Sequence, residues 1–128
     1  MQFDLVSPEN KLASMDVTAV ELPGSEGDFT AMPEHSPVLT TLRPGVVRAR
    51  WSGGEESYVV SGGFVEVNGE SVSILAEWAV PSIDAKAEDI EKLVAEAEAA
   101  TRGSAGAAFD AAALRLHHIK HLLTVISG

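Results

Sequence analysis

The sequence contains no cysteine, which excludes disulfide bonds, thiolate zinc sites and thiol nucleophiles. Basic residues are also scarce, with 9 Lys and Arg against 19 Asp and Glu, and the formal net charge is −10. Since cationic side chains supply most of the affinity for nucleic acids, this balance argues against a nucleic-acid-binding protein. It disfavours binding to anionic membrane surfaces for the same reason.

Long apolar runs are absent as well. None approaches the roughly 20 residues that a membrane-spanning helix needs. The first ten residues carry two acids and no base, so they lack the charged and apolar regions of a secretory signal. We therefore expect a cytoplasmic protein without a membrane-inserted segment. The length of 128 residues suits one domain, or a small domain with a helical appendage.

Residues 2–80 have the pattern of about eight to ten short strands separated by turn dipeptides. This number of strands is too large for one flat sheet of this length, so we predict an antiparallel β-sandwich over residues 1–83. The turn dipeptides are Pro23-Gly24, Pro44-Gly45, Gly53-Gly54, Gly62-Gly63 and Asn68-Gly69.

Two local patterns are specific. The segment Asn68-Gly69-Glu70 lies between runs rich in β-branched residues, which predicts a hairpin whose turn residues accept positive φ. In residues 47–51 polar and apolar side chains alternate, so we expect one buried and one exposed face of a strand. The alternating residues are Val47, Arg48, Ala49, Arg50 and Trp51.

After Pro81 the apolar period changes from two to about 3.6, which predicts two helices in a C-terminal unit over residues 84–128. We place the helices at about residues 85–102 and 107–125, with Asp84 as the N-cap of the first. The four-residue break from Gly103 to Gly106 implies an antiparallel hairpin. The apolar positions are Ala87, Ile90, Leu93, Val94, Ala97 and Ala100, then Phe109, Ala112, Leu116, Ile119, Leu123 and Ile126.

Alanines are frequent in both helices. We expect them to form a narrow helix–helix seam that is weakly held, because small side chains bury little apolar area. The residues concerned are Ala95, Ala97, Ala99, Ala100, Ala111, Ala112 and Ala113.

Three catalytic or ligand-binding interpretations are weak. His35 lies in a proline-flanked turn without a nucleophile motif nearby. His117 and His121 have helical spacing for zinc but lack nearby acids to complete a ligand set. The turn at residues 24–28 carries two carboxylates that would repel a phosphate. We therefore expect no catalytic, metal or cofactor site.

The last helix contains the one basic cluster of an acidic chain. Two interpretations stay open, namely a solvated helix face and a docking strip for an acidic protein surface. The cluster consists of Arg115, His117, His118, Lys120 and His121.

Two segments resemble the epsilon subunit family of the bacterial F-type proton-translocating ATP synthase. Residues 23–47 contain a glycine and acid turn, a Pro-x-His-x-Pro-x-Leu-Thr core and a Pro-Gly hairpin, and residues 61–79 contain SGGFVEVNGESVSILAEWA. The resemblance covers essentially the whole chain. It implies a non-catalytic rotor subunit of the central stalk, in contact with the gamma subunit and the c-ring, that couples proton translocation to ATP synthesis.

The resemblance also implies a peripheral location on the cytoplasmic face of the inner membrane and a set of docking residues. These would be Ser25, Glu26, Gly27, Asp28, Met32, Glu34 and His35. Exposed acids on a rigid turn fit a polar docking surface, because complementary charges fix register and speed association.

In the family the helical hairpin can inhibit ATP hydrolysis through transient contact with the alpha and beta catalytic subunits. Here Arg115 and Lys120 would make that contact. Some relatives also bind ATP through an Ile-Asp-x-x-Arg-Ala motif. This chain has Ile83 and Asp84 but Ala87 in place of the arginine, so the motif is degenerate. The alternatives are a free-standing regulatory nucleotide-binding module and, third, a small hydrolase.

Overall fold

The computed structural model describes the backbone of residues 1–127 and the side chains of residues 1–124. The chain divides into two compact units, the first ending at Asp84 and the second beginning at Ala85. The first unit contains ten strands and a short 3-10 turn, and the second contains two helices. The predicted fold class, a β-sandwich followed by two helices, is confirmed.

The ten strands are short, as the turn spacing predicted. They are β1 Gln2–Val6, β2 Lys11–Asp16, β3 Ala19–Gly24, β4 Gly27–Ala31, β5 Val38–Leu42, β6 Gly45–Trp51, β7 Gly54–Val60, β8 Gly63–Val67, β9 Ser71–Ala76 and β10 Ala79–Pro81.

The strands follow the order β10-β7-β6-β3-β5-β8-β9-β1-β2, and β4 also pairs with β3. Strands β3 and β5 are paired at a single position, Gly24 with Leu42. The pair β1 and β9 is parallel, whereas the sequence predicted only antiparallel pairs. These two strands can pair in parallel because the chain between Val6 and Ser71 is long enough to return to the same end of the sheet.

The core lies between the two layers and is formed by alternate residues of their strands. Phe3 and Leu5 of β1 and Ile74 of β9 are fully buried in it. The alternation predicted for β6 is confirmed, because Val47 and Ala49 are buried there. On β6, β8 and β9 the residues between the buried ones lie on an outer face, and the outer faces of the sheet carry the features described below.

The β8–β9 hairpin is confirmed, but the predicted turn geometry is wrong. Neither Asn68 nor Gly69 is among the residues with positive φ. Instead the Oδ1 atom of Asn68 accepts hydrogen bonds from the amides of Glu70 at 2.8 Å and Ser71 at 2.9 Å. The side chain therefore closes a three-residue loop, so that a left-handed backbone is not needed.

The second unit contains α1, Ala87–Arg102, and α2, Ala107–Ser127, which pack against each other. The predicted N-cap is wrong. Asp84 ends the 3-10 turn Ser82–Asp84, and the N-cap position of α1 is occupied by Lys86 without a side-chain cap. Neither described helix is long and apolar enough to cross a membrane.

The predicted alanine seam is formed only in part, since Ala112 and Ala113 are half-buried and Ala95, Ala99, Ala100 and Ala111 are exposed. Of the seven alanines proposed for it, only Ala97 is buried, and the other buried side chains of the two helices are Ile90, Ile119 and Leu122. Large aliphatic residues therefore supply the buried surface of this unit. The predicted apolar position Ile126 lies outside the described side chains.

Candidate functional site: two turns, one outer sheet face and the second helix

The first predicted docking segment is the tight turn between β3 and β4. Gly24 pairs with Gly27, so Ser25 and Glu26 form a two-residue connection. Gly27 has a φ of 137°, and a Cβ on Gly24 would lie 2.7 Å from the carbonyl oxygen of Gly27. Both positions therefore require glycine. The Oγ1 atom of Thr41 donates a hydrogen bond of 2.7 Å to the Oγ of Ser25, which ties the turn to β5.

The acids of this turn differ in their partners. Asp28 forms an ion pair with Arg43, whose Nη1 also donates a hydrogen bond of 2.5 Å to the carbonyl of Gly24. Glu26 is exposed and makes no hydrogen bond or ion pair with the described part of the chain. The free charge of the turn is therefore that of Glu26. Arg43 immediately precedes Pro44-Gly45, and its pairing with the acidic turn was not predicted from the sequence.

The second predicted docking segment is the turn at residues 32–35. The amide of His35 donates a hydrogen bond of 3.0 Å to the carbonyl of Met32, and Glu34 has a φ of 72°. With Pro33 at the second position, this is a type II turn in which glycine would normally occupy the site of Glu34. The amide of Glu34 donates a hydrogen bond of 2.9 Å to the carbonyl of Gly69, which holds the turn against the β8–β9 loop.

The imidazole of His35 forms its contacts within and beside the turn at residues 32–35. Its Nδ1 lies 2.6 Å from the carbonyl oxygen of Ser36, and because a carbonyl only accepts, Nδ1 carries the hydrogen. The ring packs 6.2 Å from the ring of Phe29, measured between centroids. The hydrogen bond to the Ser36 carbonyl and the packing against Phe29 fix the orientation of the imidazole, and neither contact is with a serine hydroxyl that the ring could activate.

The structure separates the two turns. The turn at residues 25–26 precedes β4 and the turn at residues 32–35 follows it, so they lie at opposite ends of that strand. Five residues of extended chain place the ends about 13 Å apart. The seven predicted docking residues therefore fall into two groups, one at each end of β4.

An exposed apolar patch lies on the outer face of β5, β8 and β9. Leu39 is 75% exposed, Phe64 58% and Leu75 64%. Phe64 pairs directly with Leu75, and Leu39 pairs with Glu66, the next outward residue after Phe64 on β8. We call Leu39, Phe64, Leu75 and Glu66 the outer β5–β8–β9 face. A cluster of large apolar side chains on a sheet surface is typical of a binding surface.

The outer β5–β8–β9 face was not predicted from the sequence. Its three apolar residues come from strands separated by up to 36 positions, and only the register of the sheet brings them together. A signal was nevertheless present, since Phe64 and Leu75 are apolar at positions where an alternating strand would place polar residues.

The outer face of β3, β6 and β7 has the opposite character. Arg50 forms an ion pair with Glu21, and Arg48 lies 3.9 Å from Glu21 and 3.8 Å from Glu55. These pairs are exposed and contribute little to stability, but they neutralise the charges of that face. The outer face of β3, β6 and β7 is therefore polar and carries ion pairs, whereas the outer face of β5, β8 and β9 is largely apolar.

The helical residues predicted for docking lie on different sides of α2. At 100° per residue, Arg115 and Lys120 point about 140° apart. The Nζ of Lys120 lies 3.9 Å from the carboxylate of Glu98 on α1. His117, His118, Lys120 and His121 thus fall within about 160° of the helix circumference and Arg115 lies outside that arc, so the docking strip considered from the sequence stays a prediction.

The metal and nucleotide sites that were considered from the sequence and judged weak gather no ligand set in the described residues. No group of three or more His, Cys, Asp or Glu residues that could hold a metal occurs there, and His117 and His121 belong to no such group. Ile83 and Asp84 lie in the exposed 3-10 turn, and Ala87 is exposed at the start of α1. No arginine stands at the position of Ala87 to bind a phosphate.

Two groups of the sandwich have shifted pKa values. The hydroxyl of Ser14, which hydrogen-bonds Asp4, is the main cause that lowers the pKa of that carboxyl. Burial is the main cause that raises the pKa of the Tyr58 phenol, and the negative charge of Glu56 adds to the effect. Both shifts make the free energy of unfolding depend on pH.

Comparison with known proteins places these features in a family. The family model "ATP synthase, Delta/Epsilon chain, beta-sandwich domain" matches residues 1–82. The chain is 52% identical to the ATP synthase epsilon chain of Jannaschia sp. (strain CCS1) over 113 residues, covering 88% of this chain and 86% of that relative. It is 44% identical to the ATP synthase epsilon chain of Rhodobacter capsulatus, covering 95% of this chain and 92% of that relative.

Two solved structures are similar along the chain. A chain of the Euglena gracilis mitochondrial ATP synthase, OSCP/F1/c-ring in rotational state 1, matches with a TM-score of 0.71 and 26% identity over 97% of this chain and 79% of that one. A chain of the Tetrahymena thermophila mitochondrial ATP synthase, central stalk/c-ring, has a TM-score of 0.71 and 17% identity over 99% of this chain and 96% of that one. At that identity the second match shows the fold alone.

Proposed function

The chain belongs to the ATP synthase epsilon-chain family, and on that premise we propose that it is a non-catalytic rotor subunit that couples proton movement through the c-ring to ATP synthesis. The similar chain from Euglena comes from an F1/c-ring assembly, which supports a place in the rotor. The observation that carries the proposal is the outer β5–β8–β9 face, because a subunit that works by docking needs an exposed apolar surface.

The gamma subunit is the proposed partner of the outer β5–β8–β9 face. Buried interface centres are apolar and poor in charge, which fits Leu39, Phe64 and Leu75 and not the ion-paired opposite face. The turn at residues 32–35 is fixed to the β8–β9 loop at the end of this face. We therefore assign Met32, Glu34 and His35 to its rim.

The polar loops of the c-ring are the proposed partner of the turn at residues 25–28. This turn lies at the opposite end of β4 from Met32, so the two segments are assigned to different partners. The hydrogen bond from Thr41 to Ser25 and the contacts of Arg43 with Gly24 and Asp28 hold this turn in place, and Glu26 presents a free carboxylate. A rigid turn with one exposed charge suits a rim contact that sets register and association rate.

We propose that the chain has no active site of its own and acts as a peripheral component on the cytoplasmic face of the inner membrane, held there by its partners. The ring of His35, which the sequence considered for catalysis, is hydrogen-bonded to the carbonyl of Ser36 and faces Phe29. Those contacts support a structural role for that residue.

The helical hairpin is proposed to regulate ATP hydrolysis through transient contact with the alpha and beta subunits. Lys120 is exposed on α2 and lies 3.9 Å from Glu98 within the hairpin. An exposed pair of this kind contributes at most about 1 kcal/mol, so an acidic loop of another subunit can compete for the ammonium group. Because Arg115 points to a different side of α2, we assign the contact to Lys120 alone.

Binding to the purified gamma subunit tests the rotor function. We expect the full chain to co-elute with gamma, and Phe64→Ser to weaken binding at least tenfold, because burying a phenylalanine contributes about 1.5–3 kcal/mol. Ile83→Ser is the matched control, since Ile83 is 90% exposed in the 3-10 turn away from this face. Failure of the unmodified chain to bind gamma at micromolar concentration would contradict the proposal.

A further inference from the structure

Glu66 is a charged residue within an apolar surface. It points outward from β8, pairs across the sheet with Leu39 on one side and Ser73 on the other, and follows Phe64 on the same face. Its carboxylate makes no hydrogen bond or ion pair with any of the described residues. In the isolated chain, water solvates this charge.

No cation of the sandwich is placed to pair with Glu66. Lys11 lies on β2, three strands from β8, which corresponds to about 14 Å, and its Nζ is 3.8 Å from Asp4. Asp4 itself shares a cross-strand row with Glu66 through Ser73, about 10 Å away. The charges around Glu66 are therefore negative or already paired.

On the proposed function, in which this face is covered by a protein partner, water would be removed from Glu66. An unpaired carboxylate is strongly disfavoured in such a place, so the covering surface must supply a compensating charge. We propose that Glu66 is the specificity-determining residue of the outer β5–β8–β9 face and that it selects a partner surface that is apolar except for one basic side chain opposite Glu66. A guanidinium suits the position best, because arginine pairs with carboxylates in a fixed fork geometry and is weakly hydrated.

A second copy of this chain does not fit the same face. Two copies related by symmetry would bring two Glu66 carboxylates to one interface, each beside apolar side chains, and each chain carries a net charge of −10. Like charges at an interface centre oppose association. The occupant is therefore a different protein with a complementary cation, which on the proposed function is gamma.

The test measures the affinity of the full chain for purified gamma by titration. Glu66→Gln keeps the shape and removes the charge, and it should weaken binding at least tenfold because the cation of gamma is left without its partner. Glu66→Lys should weaken it at least a hundredfold through direct repulsion. Glu9→Gln and Glu9→Lys are the matched controls, since Glu9 is exposed in the β1–β2 loop, and both should bind as the unmodified chain does.

A rescue experiment identifies the partner group. Glu66→Lys is combined in turn with gamma variants in which one surface Lys or Arg is changed to Glu, and recovery of affinity with one of them supports the pairing.

If Glu66→Gln binds within twofold of the unmodified chain while Phe64→Ser does not bind, the inference about Glu66 is overturned and the docking face stands. If Phe64→Ser also binds normally, the assignment of gamma to this face is overturned as well. Unfolding midpoints of all variants are measured, and we expect them to be unchanged because Glu66 and Glu9 are exposed.

Discussion

The backbone amide of Glu34 donates a hydrogen bond of 2.9 Å to the carbonyl oxygen of Gly69. This bond joins two loops that are 35 positions apart, and it holds Glu34 in a conformation with a φ of 72°. A residue with a Cβ is disfavoured there by roughly 1 kcal/mol or more. The position of the turn at residues 32–35 therefore depends on a contact that local sequence does not show.

Glu34→Asn should raise the free energy of unfolding by about 0.5–1 kcal/mol, because asparagine tolerates the left-handed conformation better than glutamate. Urea-induced unfolding of the full chain measures the change. Glu26→Asn is the control, since Glu26 is not among the residues with positive φ and no gain is expected there. Equal effects at the two positions would mean that the strain at Glu34 is not the cause.

Two glycine substitutions separate backbone strain from steric overlap. Gly63 has a φ of 150°, and an added Cβ would lie 2.2 Å from the carbonyl oxygen of Leu75. Gly27 has a φ of 137°, but an added Cβ would meet nothing within 4 Å. Gly27→Ala should cost about 1–2 kcal/mol of unfolding free energy from strain, and Gly63→Ala more than about 3 kcal/mol from strain and overlap together.

Thermal and urea unfolding of both variants provide the measurement. If the cost at Gly63 is no larger than the cost at Gly27, the close approach of the β8 and β9 backbones is not as tight as described. If Gly27→Ala is neutral, the turn at residues 25–26 can adopt another conformation, and its role as a rigid docking element would have to be abandoned.

The alkaline stability of the sandwich should depend on Tyr58. Burial raises the pKa of this phenol, so the folded state favours the neutral form. The stability that this preference contributes is complete below the unfolded pKa of about 10 and is lost as pH rises through the folded value. Tyr58→Phe should therefore flatten the loss of unfolding free energy above about pH 10.

The chain has a single tyrosine, so its tyrosinate absorbance reports Tyr58 alone. We expect its titration in the folded protein to lie above that in the urea-unfolded protein. Titration at the same pH in both states, or an identical alkaline stability curve for Tyr58→Phe, would contradict this account.

Removal of residues 85–128 should leave a folded sandwich, because the boundary between the compact units lies between Asp84 and Ala85. The truncated protein should keep the circular dichroism of a β-protein and bind gamma with unchanged affinity. In the assembled synthase, truncation should increase ATP hydrolysis if the hairpin inhibits it. Lys120→Gln in the full chain should give a smaller change in the same direction, since it removes only the proposed contact charge.

Unfolding of the truncated chain would contradict the division into independent units. Unchanged hydrolysis after truncation would contradict the regulatory role of the hairpin and leave the rotor function intact. A full effect of truncation without any effect of Lys120→Gln would show that inhibition depends on other residues of the hairpin.

Much of the fold could be predicted from the sequence because it follows local rules. Apolar alternation with a period of two produced the buried Val47 and Ala49, and the Asn68-Gly69 dipeptide marked a hairpin that exists. The errors have local causes too. Asn68 closes its loop with its side chain, and Lys86 takes the N-cap position that had been assigned to Asp84. At Asn68 a side-chain hydrogen bond replaced the turn with positive φ, and at Asp84 a short 3-10 turn replaced the expected helix N-cap.

The candidate site was less predictable. The ion pair of Arg43 with Asp28 and the outer β5–β8–β9 face depend on which strands are neighbours. By itself the sequence determined the class of fold, the change from strands to helices and the family, because these depend on residue period and turn chemistry within short segments. The tertiary structure alone decided which charges are paired and where Glu66 lies, because strand register over long sequence distances places those side chains together.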